Sequence, residues 1–128
     1  MKILAFVPAR GGSVGIPNKN LTKLASKPLI QYTIDILNKL GKSVYPFIST
    51  NDKKIARYCN SKGLGTTYRR PSILSKSNSD VIDAIIHGVD WISQHKGIKF
   101  DVILLLQPTT PIRYLWEIKK ALKVFKRK

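Results

Sequence analysis

Short apolar runs alternate along the chain with longer segments in which apolar residues recur every three or four positions. The runs Ile3–Val7, Val44–Ile48 and Val102–Leu106 have the length and the β-branched or aromatic content of strands. Between them, the spacing of three and four residues predicts amphipathic helices. Strand and helix therefore alternate, which predicts an α/β fold with a mostly parallel sheet and right-handed crossovers.

The predicted helices are bounded by residues that favour helix ends. Proline suits the first turn of a helix, aspartate and serine cap its start, and glycine suits the position after its end. The first predicted helix lies between Pro28 and Gly41, the second is capped within Ser49–Asp52 and ends at Gly63, and the third begins at Ser79 or Asp80.

Two of the apolar runs also predict where their strands lie in the sheet. Pro46 has no N–H to donate, so its strand is expected at an edge. The run Val102–Leu106 has no polar alternation, which favours a central strand covered on both faces. A brief extended piece is expected at 66–68, and a last helix from Thr110 to Lys128.

Length and composition indicate one globular domain. A chain of 128 residues with 43% hydrophobic content can bury a real core. Cys59 is the only cysteine, so no internal disulfide can form and a buried structural role is expected in a reducing compartment. The apolar start is too short for a secretory signal and no run approaches a membrane span. We therefore expect a cytoplasmic protein with no membrane partner.

The formal net charge is +16, from 23 basic and 7 acidic residues. A basic balance of this size fits nucleic acid, an anionic membrane surface or anionic small ligands. Aromatic side chains are not interleaved with the basic residues as stacking platforms, so nucleic-acid binding rests on charge alone. We do not expect nucleic acid as the partner. Strongly salt-dependent DNA binding without nucleotide preference would favour it instead.

A glycine-rich loop follows the first predicted strand, at the position where open α/β sheets bind ligands. Gly11, Gly12 and Gly15 allow sharp turns that bring backbone N–H groups close to an anion, and Arg10 and Lys19 add positive charge. The spacing fits neither the Walker A pattern nor the dinucleotide-binding pattern. The loop therefore predicts a polyphosphate cradle of another type.

The loop resembles the N-terminal motif of the acylneuraminate cytidylyltransferases, the CMP-sialic acid synthetases, which is approximately I-P-A-R-x-x-S-K-G-I-P-x-K-N-L. Val14 stands where that motif has a lysine, which removes one cation facing the triphosphate. Gly15 and Gln107 favour this family over the related enzymes that activate 3-deoxy-manno-octulosonate. Further resemblances follow in order at Ile48–Ala56, Arg70–Pro71, Asp80–His87 and Leu105–Arg113.

This resemblance implies a Rossmann-like, doubly wound fold of the nucleotide-diphospho-sugar transferase type. It implies transfer of CMP from CTP to an acidic nine-carbon sugar of the sialic acid type, with release of pyrophosphate. The anomeric hydroxyl of the sugar attacks the α-phosphorus in line, and Mg²⁺ is the expected cofactor.

The roles expected of individual residues come partly from charge and partly from the resemblance. Charge alone assigns Arg10 and Lys19 to the phosphates and to the departing pyrophosphate, which makes them the candidate catalytic residues. The resemblance implies that Arg70 recognises cytosine and that Gln107 contacts the sugar, whereas Arg69 is expected at the surface. His87 is expected to pack or to support the site. The candidate nucleotide-binding set is Pro8, Ala9, Arg10, Gly12, Ser13, Lys19, Asn20 and Arg70.

Members of the resembled family continue well past the Leu105–Arg113 motif, and their later half supplies the aspartates that hold Mg²⁺. We therefore expect residues 1–128 to form a single nucleotide-binding domain that lacks this half and has no metal ligands of its own. A homo-oligomer or a partner chain is expected. Two interpretations stay open: a cytidylyltransferase that is active or inactivated by truncation, and a catalytically empty nucleotide- or partner-binding module with a basic surface.

Overall fold

The computed structural model describes residues 2–9, 21, 23–24, 27–65, 67–74, 80–108 and 120. The predicted last helix lies outside this part of the chain except for Lys120, which is helical. The described strands are β1 (Ile3–Pro8), β2 (Lys23–Leu24), β3 (Lys27–Pro28), β4 (Tyr45–Ser49) and β5 (Val102–Leu105). The described α-helices are α1 (Leu29–Leu40), α2 (Lys53–Ser61) and α3 (Val81–Lys96).

Within the described residues, three parallel strands form a sheet in the order β4-β1-β5. Phe6 in the middle strand is level with Phe47 on one side and Leu105 on the other. The chain thus passes from β1 to β4 on one side and then returns to β5 on the opposite side. In open α/β sheets such a reversal leaves a crevice at the carboxyl ends of the strands.

Helices cover both faces of this sheet, as the doubly wound prediction requires. Successive side chains of a strand point to opposite faces, so the odd-numbered and even-numbered residues of β1 enter separate cores. One core joins β1 and β4 to α1 and α2 through Ala5, Val7, Ile30, Ile34, Ile48 and Ile55. The other joins them to α3 through Leu4, Phe6, Phe47, Tyr68, Ala84 and Ile92.

Helix α3 approaches the sheet closely at Gly88. A Cβ atom added there would lie 2.8 Å from Cε2 of Phe47 and 3.0 Å from Cε2 of Phe6. Both contacts are with ring carbons of the core, which cannot move aside as the end of a flexible side chain can. The absence of a side chain at Gly88 therefore sets the distance between α3 and the sheet.

The predicted helix ends are confirmed. The Asp52 carboxylate accepts hydrogen bonds from the backbone N–H of Lys54 at 2.7 Å and of Ile55 at 3.2 Å, which caps α2. The Asp80 carboxylate accepts from the N–H of Ile82 at 2.9 Å and caps α3. Gly63, with a φ of 80°, follows the end of α2 in the left-handed region that favours glycine.

The prediction for the position of the last strand is wrong within the described residues. β5 pairs with β1 at the edge of the sheet, and Ile103 is 43% exposed, whereas β1 is the buried middle strand. An apolar run predicts a strand but does not specify how many neighbours that strand has. The edge position of Pro46 in β4 is confirmed. Residues 67–68 are not a strand, and the short antiparallel ladder of β2 and β3 was not predicted.

None of the helices in the described part of the chain has the length and apolar character needed to cross a membrane.

Candidate functional site

The carboxyl ends of the three parallel strands meet along one edge of the sheet. The Ala9 N–H donates to the Ser49 carbonyl at 2.8 Å, which continues the β1–β4 pairing beyond Pro8, the last residue of β1. On the other side, the Leu106 N–H donates to the Phe6 carbonyl at 3.0 Å. These bonds fix the starting point of the glycine-rich loop at the centre of the edge.

Arg70 lies beside the end of β4, although it belongs to no strand or helix. Its N–H donates to the Thr50 carbonyl at 2.7 Å, and its Nε donates to the Leu74 carbonyl at 2.7 Å. The residue is only 5% exposed. Because a buried guanidinium must be hydrogen-bonded to be tolerated, these contacts hold both the backbone and the side chain of Arg70 in a defined place. The structure thus puts this predicted cytosine-binding residue at the carboxyl edge.

Its neighbour Arg69 has a different environment. Arg69 is exposed, and its Nη1 donates to the Tyr68 carbonyl at 2.8 Å. Together with Lys53 and Arg57 of α2 it lines a surface hollow of about 550 Å³. The expected surface position of Arg69 is confirmed.

Gln107 lies on the opposite side of β1 from Arg70. It follows the buried Leu106 and its side chain is exposed at the end of β5. Leu105 is level with Phe6 and the Leu106 N–H bonds the Phe6 carbonyl, so Gln107 directly follows the residues paired with β1. The edge therefore carries, in spatial order, Arg70, the Pro8–Ala9 segment and Gln107.

The remaining predicted site residues lie outside the described residues, and so does the Val14 substitution. Their positions stay predictions. The described Ala9 directly precedes the first of them in the sequence. They are Arg10, Gly12, Ser13, Lys19 and Asn20.

Four of the acidic residues in the described part of the chain have their carboxylates engaged in hydrogen bonds. Asp52 and Asp80, which the sequence places near binding segments, use their carboxylates to cap α2 and α3. Asp35 accepts a hydrogen bond from Lys27 Nζ at 2.6 Å, and Asp101 accepts one from the N–H of Lys2 at 2.8 Å. No three carboxylate, imidazole or thiol groups of the described residues lie close enough together to hold a metal ion. We therefore derive no step through a metal.

Two contributors to the edge were missed by sequence reasoning. Thr50 is buried and offers its carbonyl to Arg70, while its Oγ1 accepts from the N–H of Asp52 at 3.1 Å. Tyr68 is buried beneath the segment that carries Arg70, and its hydroxyl lies 2.9 Å from Nδ1 of His87. Burial raises the pKa of the Tyr68 hydroxyl, although a hydrogen bond with the Ser49 side chain and the nearby Arg70 guanidinium act to lower it. The sequence signal for Thr50 was the helix-capping chemistry of the Ser49–Asp52 segment. For the Tyr68–His87 pair, the sequence signal was the family resemblance around His87.

Sequence similarity to known proteins covers nearly the whole chain. Residues 4–123 match the family model described as Cytidylyltransferase. The chain belongs to the cytidylyltransferase family. The matched segment includes the glycine-rich loop, Arg70 and Gln107.

Several curated cytidylyltransferases are similar over nearly the whole chain. Identity is 37% over 126 residues with a CMP-N,N'-diacetyllegionaminic acid synthase of Legionella pneumophila, covering 98% of this chain and 54% of the relative. It is 33% with an N-acylneuraminate cytidylyltransferase of Streptococcus agalactiae, covering 98% of this chain and 29% of the relative. It is 30% with a pseudaminic acid cytidylyltransferase of Campylobacter jejuni, covering 98% and 53%. The chain thus spans about half the length of the shorter relatives, or less than a third of the longer one.

The fold is also found in a solved structure of a CMP:2-keto-3-deoxy-manno-octonic acid synthetase complexed with CTP. The TM-score is 0.79 at 19% sequence identity, and the match covers 100% of this chain and 48% of the other. This likeness confirms the Rossmann-like fold of the nucleotidyltransferase type.

Proposed function

We propose that this chain binds CTP at the carboxyl edge of its sheet and provides the nucleotide-binding half of a reaction that transfers CMP to an acidic nine-carbon sugar. The observation that carries the proposal is the order of groups along that edge. Arg70, the Pro8–Ala9 start of the loop and Gln107 lie beside three neighbouring strand ends. This order matches the base, the phosphates and the sugar of the proposed reaction.

Arg70 is proposed to bind the cytosine base. Its Nε is held by the Leu74 carbonyl, which orients the planar guanidinium. A guanidinium presents several donors in a rigid fork and can therefore meet the carbonyl oxygen and the adjacent ring nitrogen of cytosine together. Uracil offers an N–H at that ring position, so the same fork would face a donor. Arg70 would thus favour CTP over UTP.

The phosphates are proposed to lie over the loop that begins at Ala9. Backbone N–H groups of a glycine-rich loop can surround an anion, and Arg10 and Lys19 would neutralise the charge that develops on the departing pyrophosphate. The sugar hydroxyl would attack the α-phosphorus from the side of Gln107, opposite the leaving group. In such a reaction, positioning and charge neutralisation provide most of the rate enhancement.

The proposed sugar class follows from what the relatives' names share. Legionaminic acid, N-acylneuraminate and pseudaminic acid are all acidic sugars with a nine-carbon backbone. An exposed amide at Gln107 can both donate to and accept from the hydroxyl and carboxylate groups of such a sugar. An association with a second copy or with a partner chain, as expected from the sequence, would supply further groups to the site.

The first test is a calorimetric titration of the purified chain with CTP in the presence of Mg²⁺, with ATP and GTP as controls. We expect saturable binding that is selective for CTP. Arg70→Lys keeps the charge but loses the planar fork, so it should weaken CTP binding about tenfold. Arg69→Lys is the matched control on the neighbouring exposed residue and should leave the affinity within a factor of about two. Thermal unfolding of both variants checks that the fold is retained.

A pyrophosphate-release assay with N-acetylneuraminate then separates the two interpretations of the sequence. Release of pyrophosphate would support an active cytidylyltransferase. CTP binding without release would support a nucleotide-binding module that lacks the transfer step. Absence of selective CTP binding, or equal effects of Arg69→Lys and Arg70→Lys, would contradict the proposed nucleotide site.

A further inference from the structure

Tyr68 occupies the centre of an aromatic cluster beneath the carboxyl edge. Its side chain is 1% exposed, and its ring centroid lies 4.8 Å from that of Phe47 and 5.3 Å from that of Trp91. The ring therefore packs between β4 and α3. A buried hydroxyl needs a hydrogen-bond partner, so the position of this ring depends on the groups that its hydroxyl contacts.

One partner of that hydroxyl is His87 on the outer part of α3. The Tyr68 oxygen and the His87 Nδ1 are 2.9 Å apart, and the ring centroids are 5.7 Å apart. Because burial raises the pKa of Tyr68, the hydroxyl keeps its proton at neutral pH and can donate it to Nδ1. The bond joins α3 to a segment that has no helix or strand of its own.

That segment leads directly to Arg70. Two residues of chain span at most about 7 Å, so a displacement of Tyr68 is transmitted to Arg70. Beyond Tyr68, the backbone of Arg70 is held by the Thr50 carbonyl and its Nε by the Leu74 carbonyl. The Tyr68–His87 bond thus holds one end of the segment, and the hydrogen bonds of Arg70 hold the other end.

We propose that His87 is a positioning residue for nucleotide selectivity: by pairing with the Tyr68 hydroxyl it holds the segment that places the Arg70 guanidinium. The inference rests on the proposed function, because it concerns the same Arg70 fork and the same base. His87 itself does not touch the nucleotide. A residue that served only as packing would affect stability but would leave the preference between two nucleotides unchanged.

The test compares CTP and UTP affinities by calorimetry for a set of variants. His87→Ala removes the acceptor and Tyr68→Phe removes the hydroxyl while keeping the ring. Each should lower the ratio of CTP to UTP affinity about three- to tenfold, the effect of losing one hydrogen bond on the position of the fork. The double variant should lose no more than Tyr68→Phe alone, since that variant already removes the bond to His87.

Two further variants act as controls. His87→Asn places an amide oxygen near the position of Nδ1 and should restore most of the selectivity. His95→Ala changes the second histidine of α3, which stacks on Trp91 and whose Nδ1 lies 2.9 Å from the Trp91 carbonyl oxygen. It should leave the ratio unchanged. A partly unfolded variant binds both nucleotides less in equal proportion, so the ratio stays informative.

The outcomes separate the two proposals. A wild-type chain without preference for CTP over UTP would overturn the role of Arg70 and with it this inference. A selective wild-type chain whose ratio is unchanged in His87→Ala and Tyr68→Phe would overturn the inference alone. An equal change in His95→Ala would overturn it as well.

Discussion

Arg69 and Arg70 have the same side chain and adjacent positions, yet the structure gives them opposite environments. Arg70 is buried and held by two carbonyl groups, whereas Arg69 is exposed beside Lys53 and Arg57. The backbone N–H and the Nε of Arg70 bond carbonyl groups in the interior, whereas the Nη1 of Arg69 bonds the Tyr68 carbonyl at the surface. The chemistry of the site therefore depends on which arginine the backbone turns inward.

The thiol of Cys59 is buried and should react slowly in the native chain. Burial raises the pKa of its thiol to about 11, so only about one thiol in a thousand is ionised at pH 8. Because the thiolate is the reactive form, the native chain should react with Ellman's reagent at least about a hundredfold more slowly than the chain in urea. Absorbance of the released chromophore at pH 8 measures both rates. Equal rates in the two conditions would contradict the buried position.

Sequence reasoning pointed to residues that lie in local motifs and missed residues whose contacts depend on a distant partner. Arg70 and Gln107 were identified by the short motifs around them, and the structure places both at the carboxyl edge. The Tyr68–His87 bond joins residues 19 positions apart. No periodicity in the sequence indicates such a pair, because it arises only when α3 packs on the sheet.

At the scale of elements, the contact between α3 and the sheet is set by Gly88, and Gly88→Ala tests it. Alanine favours a helix by about 1 kcal/mol over glycine. The added methyl group would lie within 3.0 Å of the Phe6 and Phe47 rings, and overpacking of a core costs about 1–3 kcal/mol. We therefore expect the free energy of unfolding, measured in urea, to fall.

A control for this prediction is available on the exposed side of the same helix. Gln94 is exposed, so Gln94→Ala should leave the free energy of unfolding unchanged or raise it by a few tenths of a kcal/mol. An increase in stability on Gly88→Ala would mean that α3 lies farther from the sheet than the structure shows.

The helices could be predicted from the sequence because their ends carry explicit chemical signals. Asp52 and Asp80 cap α2 and α3 as expected, and Pro28 and Gly41 enclose α1. An apolar run indicates that a strand is buried, but it does not indicate how many strands pair with it. The position of β5 in the sheet could therefore not be predicted. The ladder of β2 and β3 has two residues in each strand, which is too short to show a period.

At the scale of the whole molecule, the net charge of +16 should strengthen the binding of any polyanion. Raising the salt concentration from 0.1 to 1 M shortens the Debye length from about 10 to about 3 Å. We expect CTP affinity, measured by calorimetry, to fall about fivefold or more over this range. Cytidine, which carries no phosphate, is the control and should change little. Equal losses for both ligands would show that charge does not contribute to nucleotide binding.

The fold class could be predicted at this scale, because alternating strand and helix patterns constrain the topology strongly. The basic composition alone does not indicate which anionic partner binds, whether nucleic acid, a membrane surface or a small ligand. Membership of the cytidylyltransferase family is what makes a nucleotide the ligand we propose.

The central claim is that CTP binds at the carboxyl edge of the sheet, and amide chemical-shift mapping of the ¹⁵N-labelled chain tests it most directly. On addition of CTP, we predict the largest shifts at the amides of Ala9, Arg70 and Gln107. The amides at the opposite end of the strands, Lys2 and Val44, should stay unchanged. Shifts concentrated instead around Lys53 and Arg57, or spread evenly over the basic surface, would contradict the account.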